Sequence, residues 1–209
     1  EKINRIHFAP PSGAIIIIPE KIRNVLFEGA RSRIERSDIN FIIFNHIYLP
    51  ARENIHSIFL FKILSKETVT HAFLQFFKLK NFTPTDLIAE VYIPVKVSPT
   101  FPEDFFTTAY PLPPGDYLLS MALTNKNLEK VGTHYFPFSL PYVDTISLDT
   151  TPIFFIKKIE RMDRPETKTE VHKNFFTYSI LRLWPKTTYT FQQRRRLAIF
   201  YSISEINAS

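Results

Sequence analysis

The chain has 209 residues, 44% hydrophobic and 15% aromatic, and its 26 Lys and Arg against 20 Asp and Glu leave a formal charge of +6. That apolar share excludes a disordered polar chain, and a length about twice that of one β-sandwich predicts one complete sandwich followed by a smaller or incomplete β unit. No cysteine is present, which excludes disulfide frameworks, thiolate metal sites and cysteine nucleophiles.

The first 38 residues predict strands over residues 3–8 and 14–18, the latter an "AIIII" run bounded by Gly13 and Pro19. Neither this run nor any other reaches the roughly 18 uninterrupted apolar residues of a membrane span. The chain begins at Glu1 without a methionine, as a mature chain or an excised piece of a longer one would, so any signal peptide is expected to be gone already. "FEGARSRIERSD", residues 27–38, is the one polar stretch suited to a short helix.

Residues 39–48, "INFIIFNHIY", predict the next strand. "SIFLFKILSKETVTHAFLQFFKL", residues 57–79, then predicts a hairpin with "LSKET" at its tip. Val69, Ala72, Phe73, Phe76 and Phe77 also match helical spacing, but the Thr, Val and Phe content favours a strand. Strands over residues 87–97 and 105–110 follow, mostly punctuated by prolines.

"PLPPGDYLLSMALTNKNLEKVGTHYFPFSLP", residues 111–141, predicts a second hairpin behind a sharp corner. Proline fixes φ there and Gly115 tolerates a positive one. Tyr117 stands where sandwiches place a corner tyrosine, whose hydroxyl bonds back to the upstream backbone. The two return strands share a Thr-His start, "THAF" at residues 70–73 and "THYF" at 133–136, which is read as a recurring hairpin unit, the alternative being convergence of two β-rich sequences on a short shared pattern.

A boundary is expected near residues 142–151. Beyond it lie "PIFFIKKIE", a charged loop, "NFFTYSILRLWP", "TTYTF" and "RRLAIFYSI". Many short strands between proline-rich turns predict an all-β, antiparallel sandwich of the immunoglobulin or fibronectin-III kind over residues 1–145, with a second β domain over 146–209 that is incomplete or completed by a partner.

"LPPGDYLLSMALTNKNLEKVGTHYFPFSLPYVDTISLDT" with "FFTYSILRLWPKTTYTFQQRRRLAIFYSI" resembles the β-sandwich tails of secreted bacterial proteins of the GWxTD-domain and von-Willebrand-A-related type. The resemblance covers about the last hundred residues and rests on the proline-glycine corner, the hairpin, Trp184-Pro185, the aromatics of residues 189–191 and Phe200-Tyr201. It implies a sandwich in an extracytoplasmic setting. Neither a Gly-Trp-x-Thr-Asp nor an Asp-x-Ser-x-Ser motif is present, so the resemblance passes on no catalytic or metal residue.

The inventory of reactive groups points the same way. No two of the four glycines lie close enough for a phosphate-cradling loop, and Gly-x-Ser-x-Gly and His-Glu-x-x-His are missing. Histidines 7, 46, 56, 71, 134 and 172 do not fall at metal-ligand spacing, although His46 and His56 flank a predicted turn and could meet across it. The acidic pairs Glu103-Asp104, Asp144 with Asp149, and Glu166 with Glu170 are the only candidates for calcium, and two carboxylates are fewer than such a junction site needs. Catalytic, cofactor and metal residues are therefore expected to be absent, and an enzyme reading stays open only through a pocket that convergent carboxylates or histidines build from distant strands. Asn81 and Asn207 begin glycosylation sequons.

From residue 152 onward eleven Lys and Arg face five Asp and Glu, so the whole excess charge lies in the second region. It could dock an acidic protein surface or an anionic polysaccharide. It could interleave Tyr178, Trp184 and Tyr189 with arginines to stack nucleic acid, a disfavoured reading. Or Arg194–Arg196 could be a solvated turn and Lys157-Lys158 a strand edge guarded against aggregation. The expected function is non-catalytic association with itself or another surface protein through Arg194, Arg195, Arg196, Leu197, Phe200 and Tyr201, with strand addition at residues 197–203.

Overall fold

A computed structural model describes residues 18–51, 54–98, 104–142, 149–151, 153–187, 198–201 and 203–204. The expected strands over residues 3–8 and most of 14–18 lie outside that set. The rest is mainly antiparallel β with one short helix.

The helix, α1 (Glu20–Ser32), begins earlier than expected, directly after Pro19. Its sequence buries Ile22, Leu26, Gly29 and Ala30 along one face, the i, i+4, i+7, i+8 stripe of an amphipathic helix. Arg33 ends it in a left-handed conformation, its amide donating to the Gly29 carbonyl at 2.7 Å.

Seven strands follow: β1 (Phe41–Ala51), β2 (Asn54–Ile63), β3 (Val69–Lys80), β4 (Thr83–Val97), β5 (Phe106–Leu112), β6 (Gly115–Thr124) and β7 (Val131–Leu140). The further strands among the described residues are β8 (Asp149–Thr150), β9 (Phe154–Arg161), β10 (His172–Lys173), β11 (Phe176–Tyr178), β12 (Leu181–Pro185), β13 (Ala198–Phe200) and β14 (Ile203–Ser204). They form sheets ordered β1-β2-β5-β10, β4-β3-β6-β7 and β11-β12-β9-β13, plus the pair β14-β8.

The residue 111–141 hairpin is β6 against β7, in unbroken register from Gly115↔Leu140 to Thr124↔Val131. The residue 57–79 hairpin does not form. β2 pairs with β1 and β5, whereas β3 pairs with β4 and β6 in another sheet, so the "LSKET" segment carries the chain from one layer to the next. The reason is burial on two faces. Phe59 and Phe61 of β2 and Leu74 and Phe76 of β3 meet in the core between the two sheets, while Ile58 and Leu60 face a second core and Phe73 and Phe77 lie against helix-facing clusters. A strand covered on both sides is apolar at every position, which also explains the helix-like spacing around Val69. The two Thr-His segments are not return strands of equivalent hairpins: β3 and β7 flank the same strand, β6.

The molecule is layered. α1 covers one face of β4-β3-β6-β7 through Ile22 and Leu26 against Phe73, Ala122 and Val131. The opposite face packs on β1-β2-β5 in the largest core. Residues beyond the expected domain boundary supply the next layer: Ile156, Phe176 and Leu183 share one cluster with Ile47, Leu49, Ile58, Leu60 and Phe105. In addition, β10 extends the middle sheet beside β5, with His172 opposite Thr107. The Tyr178 hydroxyl donates to the Pro50 carbonyl at 2.6 Å, a further tie between the layers.

Candidate interaction surface

Arg194, Arg195, Arg196, Leu197 and Tyr189 lie outside the described residues. Phe200 and Tyr201 are described. β13 is hydrogen-bonded to β9, with Ala198↔Ile156, Ile199↔Phe155 and Phe200↔Phe154, so the last long apolar segment has a partner earlier in the chain. Phe200 points into the layer interface, its ring 5.2 Å from Phe154 and edge-on to Tyr178 at 6.3 Å. Its neighbours turn outward, with Ile199 50% and Tyr201 51% exposed. β13 stands at the end of its sheet and, among the described residues, pairs on one side only.

Cross-strand register defines the outer face of this third sheet. Residues opposite one another in a ladder share a face. Phe155↔Ile199, Lys158↔Trp184 and Glu160↔Arg182 therefore lie away from the core that holds Ile156, Phe176 and Leu183. The Phe175 and Trp184 rings meet at 5.2 Å with a 40° tilt, the Arg182 guanidinium lies 4.8 Å over Phe175, and the Lys158 ammonium lies 4.7 Å over Trp184. Glu160 pairs with Lys158 and approaches Arg182 at 3.7 Å. Lys157-Lys158 is not a strand edge, because β9 runs between β12 and β13.

Of the expected stacking residues, Tyr178 turns inward and Trp184 outward. Phe175 and Arg182 were missed. Period-2 alternation within each arm of "NFFTYSILRLWP" was the available signal, since Phe175 adjoins the buried Phe176 in the first arm and Arg182 and Trp184 alternate with the buried Leu183 and Pro185 in the second.

His46 and His56 do not meet. His46 pairs with Phe59 and sits on the side of its sheet that faces β4-β3-β6-β7, stacked on that ring at 4.9 Å and 4.8 Å from Phe138, with Nε2 3.2 Å from the Ser57 hydroxyl. His56 points the other way, its ring 6.3 Å from Tyr178. Burial pulls the His46 pKa down to about 4 and lowers that of His56, whose proton the Thr177 backbone and the Glu166 charge partly favour.

The third acidic pair gains a histidine. Glu166, Glu170 and His172 bring ligand atoms within 4.8 Å of one another, with the Glu166 carboxylate 2.8 Å from His172 Nε2 and accepting from the Thr177 hydroxyl at 2.7 Å. Those contacts already tie the charged loop to β10 and β11. Asp104 likewise serves the fold, holding Lys173 at 2.9 Å and the Asn174 amide at 3.0 Å. Glu103 and Asp144 lie outside the described residues. A cleft of about 90 Å³ lined by Ile88, Tyr110, Pro111 and Leu112 is smaller than the several hundred Å³ of ordinary ligand pockets.

At the corner, the Tyr117 hydroxyl donates to the Pro113 carbonyl at 2.8 Å. Gly115 has φ +141°, where a side chain is strained, and a Cβ there would come within 2.3 Å of Lys78 Nζ. Lys78 caps the corner, donating to the Pro114 carbonyl at 3.1 Å and lying 4.2 Å over the Tyr117 ring. Burial, helped by Tyr142, pushes the Tyr117 hydroxyl pKa up to about 12. In comparisons with protein-family models, curated proteins and solved structures, nothing matches the chain.

Proposed function

We propose that the chain is a non-catalytic, extracytoplasmic interaction module on an immunoglobulin-like, fibronectin-III-type sandwich, and that it associates with itself or another surface protein through the β13 edge. The sandwich type is supported by the orders β1-β2-β5 and β4-β3-β6-β7 and by a tyrosine corner at the start of β6. The compartment reading draws on the resemblance to secreted GWxTD-related tails.

The observation that carries the association is the position of β13 at the end of its sheet, with Ile199 and Tyr201 exposed on the sheet whose outer face holds the Phe175–Trp184 ring pair. An unpaired edge templates strand addition, and aromatic and arginine side chains are the groups that centre protein interfaces. Sedimentation over a concentration range tests it. Ile199→Asp and Tyr201→Ser should weaken association without changing the melting temperature. Phe200→Asp is unsuitable because that ring is part of the interlayer packing. A chain that stays monomeric throughout, and whose captured partners ignore both substitutions, overturns the reading.

A second reading, binding of an anionic polysaccharide, is favoured by Lys158 and Arg182 beside Trp184 on the same open face. Nucleic acid stays disfavoured, since Tyr178 is turned inward with its hydroxyl on Pro50. Salt titrations against an anionic polysaccharide and single-stranded DNA separate these.

A further inference from the structure

The β3–β4 hairpin ends in a two-residue turn, with Lys80 opposite Thr83 and Asn81 and Phe82 at φ +50° and +62°. Both central residues of such a turn need a positive φ, which is why Asn-Gly is its usual sequence. Asn81 meets that demand and Phe82 does not: a bulky side chain is strained in this region. Phe82 is also 90% exposed, the most exposed large apolar residue among those described. A ring held in a strained backbone, with almost none of its surface covered by the fold, adds nothing to stability that a glycine would not supply better.

Its surroundings suit one kind of contact. An Arg33 guanidinium nitrogen lies 3.5 Å from the Phe82 carbonyl, so the end of α1 sits against the turn. Ile34, next to it, is 72% exposed, and Lys80 is exposed on the hairpin itself. Arg31 lies 4.6 Å over Phe27, which in turn packs on Phe77 of the same strand. Arg33 and Lys80 therefore flank an apolar point, and α1 with the hairpin carries seven Lys and Arg, counting Arg33 at the helix end, against the four acidic groups Glu20, Glu28, Asp86 and Glu90.

We propose that the β3–β4 tip docks peripherally on an anionic lipid surface, with the Phe82 ring entering the headgroup boundary and Arg33 and Lys80 meeting the lipid phosphates. One phenyl ring offers roughly 150–250 Å², far below the roughly 800 Å² a protein partner usually requires. A bilayer interface needs no complementary pocket and accepts a single aromatic flanked by basic residues. Reversible, salt-sensitive binding is the consequence. This site lies on the helix-covered sheet and is independent of the β13 edge.

The test is co-sedimentation of the full chain with phosphatidylcholine vesicles, with and without phosphatidylglycerol. Binding is expected only with the anionic lipid and is lost at high salt. Phe82→Gly should weaken it on the order of tenfold or more, the partition of one phenyl ring, while the melting temperature holds or rises. Lys80→Gln should weaken it less. Phe82→Trp should add an emission that shifts to the blue on vesicles. Wild-type binding by Phe82→Gly, or an unshifted tryptophan, overturns insertion in favour of charge adsorption alone. A wild type that sediments with neither vesicle overturns the proposal.

Discussion

His46, on β1, lies between β2 and β7, with the Phe59 and Phe138 rings around it and Ser57 as its polar partner. Burial holds its pKa near about 4 against an ordinary 6.5, so the folded state keeps it neutral over a range in which the unfolded chain protonates it. The stabilising difference is fully present above pH 6.5 and is lost as pH falls toward 4, on the order of 3 kcal/mol across the window. Denaturant melts of the wild type and His46→Gln, taken between those limits, should show a steeper acid loss in the wild type; equal slopes would refute the assignment. Nothing in "NHIY" marks this residue, because its neighbours come from β2 and β7. The corner was legible for the opposite reason: Pro113, Gly115 and Tyr117 act on one another within five residues, and proline and glycine dictate backbone wherever they stand.

Strand existence was legible from β-branched and aromatic content, whereas pairing was not. "HSIFLFKIL" and "TVTHAFLQFF" look like hairpin arms until each proves to be covered on both faces, and a strand without alternation gives no hint of which sheet it joins. One residue in the second run did carry a signal. Gln75 is fully buried in an apolar strand and needs a partner, which it finds in Glu90 of β4 at 2.8 Å. The same carboxylate receives both Arg23 bonds, at 2.9 and 2.7 Å, so helix and sheet are joined through one group. Ser120 adds a hydroxyl to the Leu26 carbonyl at 3.0 Å. Glu90→Ala should cost about 1–3 kcal/mol by stranding the Gln75 amide, and hydrogen exchange in α1 should quicken. Arg23→Ala should cost less, about 1 kcal/mol or below, since Arg23 is partly in solvent. Equal costs for the two would mean that the buried amide is not what Glu90 serves.

The middle sheet is where the molecule is held together, and the sequence suggested a boundary there instead of a shared core. Alternate residues of β2 serve different layers: Ile55, Phe59 and Phe61 the core shared with β3 and β6, Ile58 and Leu60 the third sheet. The proline-punctuated stretch after β7 looked like a linker because composition reports where a chain bends but not where it lands. Outward-facing apolar residues on β1 and β2 were the overlooked sign, since a sandwich with a solvated outer face would have made them polar. Removing residues 143–209 should therefore uncover Ile47, Leu49, Ile58, Leu60 and Phe105 together. Full burial of each such side chain is worth about 1.5–3 kcal/mol, and even a fraction of that sum approaches the 5–15 kcal/mol that stabilises a typical domain. The full chain is expected to unfold in a single calorimetric transition, while the shortened chain aggregates or binds a hydrophobic dye and melts far lower. Two separate transitions, or a soluble shortened chain melting with the parent, would make the third sheet a domain in its own right and its packing on β1 and β2 dispensable.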